Sequence, residues 1–271
     1  MSPFAIEATG LSKRYGDEIA VEGLDLAVPH GTVYGFLGPN GAGKTTTIRM
    51  LTTLLRPTAG EARIDGQPIA DRRAVTRRIG YLPDAPPLYD ELTGREQLEY
   101  VAGLRDIPNE EASARIGELL ERFSLDEDAD KRISTYSKGM KQKAGIIQAI
   151  LHRPAVIFLD EPTAGLDPRA ARTVRDTIAD LAAGDATVFL STHVLPVVDE
   201  LADTVGVLFD GDLVAEGPPE VLKRRAAESV DGDARDGEGD GEGEGRTLED
   251  VFLEVTQDAD LVRPDGAERA R

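Results

Sequence analysis

The chain has 271 residues, 40% of them hydrophobic and 30% charged, enough for one or two domains with a real core. Its 31 basic and 50 acidic side chains leave a net charge of −19, which argues against non-specific binding to nucleic acid. It has no cysteine and three histidines, which excludes disulfides, thiolate metal sites, a cysteine nucleophile and a His-rich metal site.

The opening stretch "MSPFAIEATG" lacks the basic region and apolar run of a secretory signal, and none is expected. Residues 4–28 alternate and suggest short strands joined by turns. "TVYGFLG" (32–38) reads as an apolar strand running into a Gly-rich turn, and "KTTTIRMLTTLL" (44–55) as the helix after it. "EARIDG" and "IGYLP" read as further strands. From Pro86 to about residue 152 the pattern is helical, with Ile116, Leu119, Leu120 and Phe123 on one face. "AVIFLD" (155–160) and "ATVFLS" (186–191) are the nearly all-apolar runs of buried parallel strands, and the helix between them carries Val174, Ile178 and Leu181. No run approaches the roughly 20 apolar residues of a membrane span. The expected fold is α/β: a mostly parallel sheet, antiparallel strands at the N-terminus and an inserted helical subdomain.

The charge is unevenly spread. Glu228 to Gly245 holds eight acids and one Arg, and the remainder of the chain still carries −12. Residues 228–246 are therefore expected to form an acidic Gly-rich linker, after a domain over 1–227 and before a C-terminal helix and tail over 247–271. In that last segment Leu248, Val251, Phe252 and Val255 share a helical face, and Thr247 with Asp250 suits a capping pair. The helix is expected to pack on its own domain or, in a sharper reading, to touch a partner or a second copy. Seven lysines against 24 arginines in so acidic a chain suggest adaptation to a salty cytoplasm, where counter-ions screen self-repulsion. An ordinary acidic protein with Arg-biased codons would show the same pattern.

"GPNGAGKT" (38–45) fits the phosphate-binding loop G-x-x-x-x-G-K-[ST], and it lies between a buried strand and a helix, as that motif requires. In the binding loop formed by Gly38, Pro39, Asn40, Gly41, Ala42 and Gly43, the backbone N–H groups of all but Pro39, which has none, would turn toward phosphate oxygens. Lys44 would reach the β- and γ-phosphates, Thr45 would hold Mg²⁺, and Thr46 continues the helix start. Asp160 ends the strand "VIFLD", where a carboxylate reaches a Mg²⁺ shell, and Glu161 is placed to orient or deprotonate the attacking water. "YSKGMKQK" (136–143) raises a question of its own, because lysines at a helix start oppose the macrodipole unless an anion arrives there.

These motifs together resemble the ATP-binding subunit of ABC transporters over about residues 4–225. "GPNGAGKTT" resembles Walker A, "VIFLDEPT" Walker B, "AGLDP" (164–168) the D-loop, "STH" (191–193) the switch histidine and "YSKGM" the signature sequence. The resemblance implies an ATPase with ATP and Mg²⁺, sandwiched with a second ATP-binding subunit, plausibly a copy of itself, and driving a separate integral-membrane permease from the cytoplasmic face of the membrane. It implies that Ser137 and Gly139 face the γ-phosphate held by the other subunit. Lys138 stands where the family has glycine, and Met140 where it has glutamine. It further implies that Tyr15 stacks on adenine, His193 contacts the γ-phosphate or the water, and Asp167 couples the two sites. Asp84 replaces the usual Gln after "IGYLP" and remains a candidate Mg²⁺ ligand. With "LYDELT", "YSKGMKQK" and "LEDVFLEVT" it points to an exporter branch for drugs, lipids or polysaccharides. The alternative is an ABC-type ATPase acting on a non-membrane complex.

Overall fold

A computed structural model describes residues 2–184, 186–231 (backbone alone from 226) and 247–253. It begins with two long antiparallel strands, β1 (Phe4–Tyr15) and β2 (Glu18–Pro29), joined by the tight turn at Gly16. The expected short strands are thus two strands of 12 residues each; register shifts between Ala8 and Leu11, beside Gly10, let one strand bend where two were expected. With β4 (Ala59–Ile64) and β5 (Gln67–Pro68) they form a four-stranded antiparallel sheet.

The second sheet has the order β10-β9-β3-β8-β7-β6, built from β3 (Val33–Leu37), β6 (Ile79–Leu82), β7 (Val156–Asp160), β8 (Thr187–Thr192), β9 (Thr204–Phe209) and β10 (Asp212–Gly217). All its pairings are parallel except β9 with β10. Both faces are covered, which is why the strands read as unbroken apolar runs. One face presents Tyr34, Phe36, Phe158 and Phe189 to α1 (Lys44–Leu51) and the antiparallel sheet, with Phe189 at 5.1 Å from Phe36, 5.3 Å from Tyr34 and 5.6 Å from Phe158 between ring centroids. The other presents Ile157, Leu159, Val188 and Leu190 to the helices. The helix after the phosphate loop ends at Leu51, four residues before its expected end, and Thr53 turns away in a left-handed conformation.

The inserted helices are α3 (Gly94–Leu104), α4 (Asn109–Arg122) and α5 (Lys138–Ile150); α2 (Arg72–Thr76) precedes β6. Thr93 and Glu96 start α3 with reciprocal bonds of 3.1 and 2.8 Å, a capping box. Ile116, Leu119 and Leu120 are buried, and Phe123 closes the same face as the C-cap of α4. Ser137 caps α5, accepting from the Met140 N–H at 3.2 Å. The chain then runs through α6 (Pro168–Ala183) and α7 (Leu195–Leu201) to α8 (Pro219–Asp231). Helix α8 reaches four residues into the stretch read as linker from 228; residues 232–246 and Val255 lie outside the described residues. Residues 248–253 are helical, opened by Thr247 and Asp250 with bonds of 2.8 and 3.3 Å, so the expected capping pair is present. Leu248 and Val251 are buried with Leu37, Val198, Val205, Val207 and Leu222, so this helix packs on its own domain.

Candidate nucleotide site

The site lies at the carboxyl ends of the parallel strands. There β3 runs into residues 38–43, β7 ends at Asp160, β8 ends one residue before His193, and Asp84 follows β6. Gly41 and Gly43 have φ of 89° and 106°, a region closed to side chains that lets the loop curl before α1. The resulting cavity of about 390 Å³ is lined by Tyr15, Pro39, Asn40, Gly41, Gly43, Lys44, Thr45, Thr46, Asp84, Asp160 and Glu161, together with Glu18, Ile19, Ala20 and Asp210.

Lys44 donates to the Gly38 and Pro39 carbonyls at 2.6 and 3.1 Å, which holds the ammonium along the loop. Burial pulls its pKa down, while Glu161 and Asp160 act against that by favouring the charged form. The Thr45 hydroxyl donates to Asp160 Oδ2 at 3.0 Å, and the buried Ser191 hydroxyl donates to Asp160 Oδ1. Glu161 has φ of 50°, a left-handed backbone that costs a non-glycine residue about 1 kcal/mol or more. That turn directs its carboxylate into the cavity one residue after Asp160. Its Oε1 lies 2.9 Å from His193 Nδ1, and its Oε2 accepts from the Thr192 hydroxyl at 3.0 Å. Thr192 in turn accepts from the Val194 N–H at 3.0 Å.

Tyr15 is 47% exposed at the rim, with the Lys13 ammonium 5.1 Å from its ring centroid. Gly38 contributes its carbonyl to Lys44 without lining the cavity, and Ala42 points into the core at 3% exposure while its N–H donates to the Pro39 carbonyl at 3.2 Å. Ser137, Gly139 and Asp167 do not line this cavity. Asp167 caps α6, accepting from Arg169 and Ala170 N–H groups at 3.0 Å each, and the Ala170 bond leads in holding its carboxyl below the usual range. Of the lysines that raised the question, Lys141 pairs with Asp90 at 2.7 Å and Lys143 donates to the Phe123 carbonyl at 2.9 Å, while Lys138 lies over Gly165 of the D-loop. Two of the three therefore serve local structure.

Sequence reasoning passed over Ser191, Thr192, Glu18 and Asp210. The first two belong to "STH", where the histidine drew the attention, and their hydroxyls read as ordinary strand residues.

The chain matches the family model described as "ABC transporter" over residues 21–164. It belongs to the ABC transporter family. It is 45% identical to the daunorubicin resistance ATP-binding protein DrrA3 of Streptomyces coeruleorubidus, over 82% of this chain and 71% of that one. It is 42% identical to the bacitracin transport ATP-binding protein BcrA of Bacillus licheniformis, over 81% and 72% respectively. A solved ATP-binding subunit of an ABC transporter superposes with a TM-score of 0.82 at 30% identity, covering 93% of this chain and 99% of that one. The chain is thus an ATP-binding subunit of that family and an ATPase. No helix among its described residues is long and apolar enough to cross a membrane.

The donor set also bears on Mg²⁺. Among the described residues no cluster of three or more His, Cys, Asp or Glu forms a ready cage. Thr45 and Asp160 instead offer two adjacent oxygens beside the phosphate loop. That fits Mg²⁺, which takes few protein oxygens and fills its octahedron with water and substrate phosphates.

Proposed function

We propose that this ABC subunit hydrolyses ATP to energise the outward transport of a drug, lipid or polysaccharide through a separate integral-membrane permease, working peripherally at the cytoplasmic face as an ATP sandwich with a second copy. The observation that carries the reading is the pair Asp160–Glu161 over the phosphate loop, one carboxylate bonded to Thr45 and the next to His193 and Thr192.

Backbone N–H groups of the loop at 40–45 other than that of Ala42, which donates to the Pro39 carbonyl, bind the phosphates together with the Lys44 ammonium. Thr45 and Asp160 would hold Mg²⁺, with Asp84 a further oxygen in the same cavity; the ion would screen phosphate charge. Tyr15 offers its ring to adenine. Glu161 accepts a proton from the attacking water as the water oxygen bonds to the γ-phosphorus. The bond from that phosphorus to the bridging oxygen breaks, and ADP leaves with the electron pair. His193 orients Glu161 or the γ-phosphate. The cavity opens to solvent, and Ser137 and Gly139 stand outside it at the start of α5, Ser137 exposed and Gly139 half-buried. A second copy would bring its Ser137 hydroxyl and helix dipole to the open side, with Asp167 at the seam. The working unit is the domain read over 1–227, with its helical subdomain at 86–152, together with the end of α8 to Asp231 and the helix at 248–253 that packs on it.

Glu161→Gln tests this. It is expected to lower ATP turnover about a hundredfold or more while MgATP still binds, and to accumulate a dimer in light scattering at saturating MgATP. Unchanged turnover, or a variant that stays monomeric in MgATP at adequate salt, would count against the reading.

A further inference from the structure

The helix at 248–253 lies against the catalytic machinery, far along the chain from it. Phe252 closes a small apolar cavity of about 120 Å³ whose other walls are Leu37, Gly38, Pro39, His193 and Leu195. Those residues are the entry to the phosphate loop and the two ends of the turn from β8 into α7. The helix is fixed where it is by Leu248 and Val251, which are 3% and 2% exposed in the cluster with Leu37 and Val198. Its first turn is closed by the Thr247–Asp250 bonds. His193 is otherwise held at one atom, through Nδ1 to Glu161 Oε1 at 2.9 Å. Its side chain is 55% exposed, so no core packing confines it.

We infer that Phe252 is a positioning residue for hydrolysis: it backs the segment 193–195 against the phosphate loop and so sets where the His193 imidazole stands relative to Glu161. The inference rests on the role proposed for His193. Among the described residues the ring has one hydrogen bond, at Nδ1, and its place relative to Glu161 follows the backbone of 193–195. Phe252 and Pro39 line the cavity beside that backbone. Removing the Phe252 ring enlarges the cavity under residues 193–195 and lets the turn sink into it, which moves the imidazole without touching nucleotide. The consequence falls on turnover, because an ångström of misplacement at a reacting group is costly while remote binding contacts are intact.

The test compares ATP turnover in Phe252→Ala, Phe252→Leu, Leu222→Ala, His193→Ala and the double variant His193→Ala/Phe252→Ala. Leu222 belongs to the same apolar cluster but does not line the cavity. Phe252→Ala is expected to lower kcat about tenfold with KM for ATP unchanged, and Phe252→Leu to restore most of it. Leu222→Ala should lower Tm at least as much as Phe252→Ala and leave kcat near wild type well below Tm. In the His193→Ala background Phe252→Ala should add nothing, since both act through one ring. The inference is overturned if Phe252→Ala keeps wild-type kcat, if Leu222→Ala loses kcat in the same proportion, or if the effects of His193 and Phe252 multiply. If His193→Ala alone leaves turnover intact, it is the role of His193 that fails.

Discussion

His152 gives a stability prediction with a definite sign. It follows α5, and its Nε2 lies 2.9 Å from the Ile79 carbonyl, so that nitrogen carries the proton and donates. Its Nδ1 is buried with no hydrogen-bond partner among the described residues. Burial, and then the nearby Arg105 guanidinium, lower its pKa from 6.5 to about 4. Arg105 is itself held close, donating to the Thr76 carbonyl at 2.5 Å. The unfolded chain therefore takes up a proton near pH 6.5 that the folded chain refuses until about pH 4. Between those values the unfolded state binds more protons, so stability falls as the pH falls. Neutral His152 contributes in full above pH 6.5, and the contribution is gone below about 4. The pKa difference corresponds to about 3 kcal/mol, and solvent screening of a partly exposed ring reduces that to about 2 kcal/mol. His152→Gln keeps an N–H donor of similar reach and does not titrate. Urea unfolding of both proteins at pH 7 and pH 4.5 would measure the difference. The wild type should lose about 2 kcal/mol more than the variant over that range, since every carboxylate contributes equally to both. Parallel losses would mean that His152 is charged in the fold and that the reasoning from burial is wrong.

Two further outcomes are expected. If the acidity reflects life in concentrated salt, the thermal midpoint should rise clearly between about 0.1 M and molar KCl, because a net charge of −19 repels itself most when the Debye length is about 10 Å; a midpoint that ignores KCl would assign the acidity to composition alone. Tagged protein drawn from its native membranes in mild detergent at high salt should bring a stoichiometric polytopic membrane protein with it, and a purely soluble complex would instead favour action on a non-membrane target.

The phosphate loop, Asp160 and Glu161 could be read from the sequence because their chemistry needs contiguous residues after apolar strands. Ser137 was readable as a cap for the same local reason. The partner of Lys141 was not: Asp90 is 51 positions away, and only the packing of the inserted helices brings it to 2.7 Å. The hydroxyls of Ser191 and Thr192 were hidden because buried β-branched and small residues in a strand look like packing until the neighbouring strand places a carboxylate opposite. The register that does so pairs Asp160 with Ser191. Ala42 shows the converse, a residue inside the most legible motif whose side chain serves the core. The linker expected from 228 begins inside the last turn of α8, because that turn holds the acids that open the Gly-rich stretch and composition cannot say where a helix stops when helix formers and linker residues overlap.

The close seat of α5 on β6 has a mechanical meaning. Gly145 lies so near Leu82 and Pro86 that an added Cβ would stand 2.7 Å from each, and Gly80 meets the carbonyl of Ala149 with no room for a side chain. The rear of α5 is thereby pinned beside the segment that carries Asp84, while at its front Ser137 is exposed and Gly139 half-buried. A helix of 13 residues is about 20 Å long. Pivoting it by about 10° at Gly145, eight residues or about 12 Å behind Ser137, would swing Ser137 by about 2 Å, enough to break a hydrogen bond. Segment 84–90 touches α5 twice, through Pro86 against Gly145 and through Asp90 paired with Lys141 at 2.7 Å, so a shift of that segment passes directly to the helix end that carries Ser137 and Gly139.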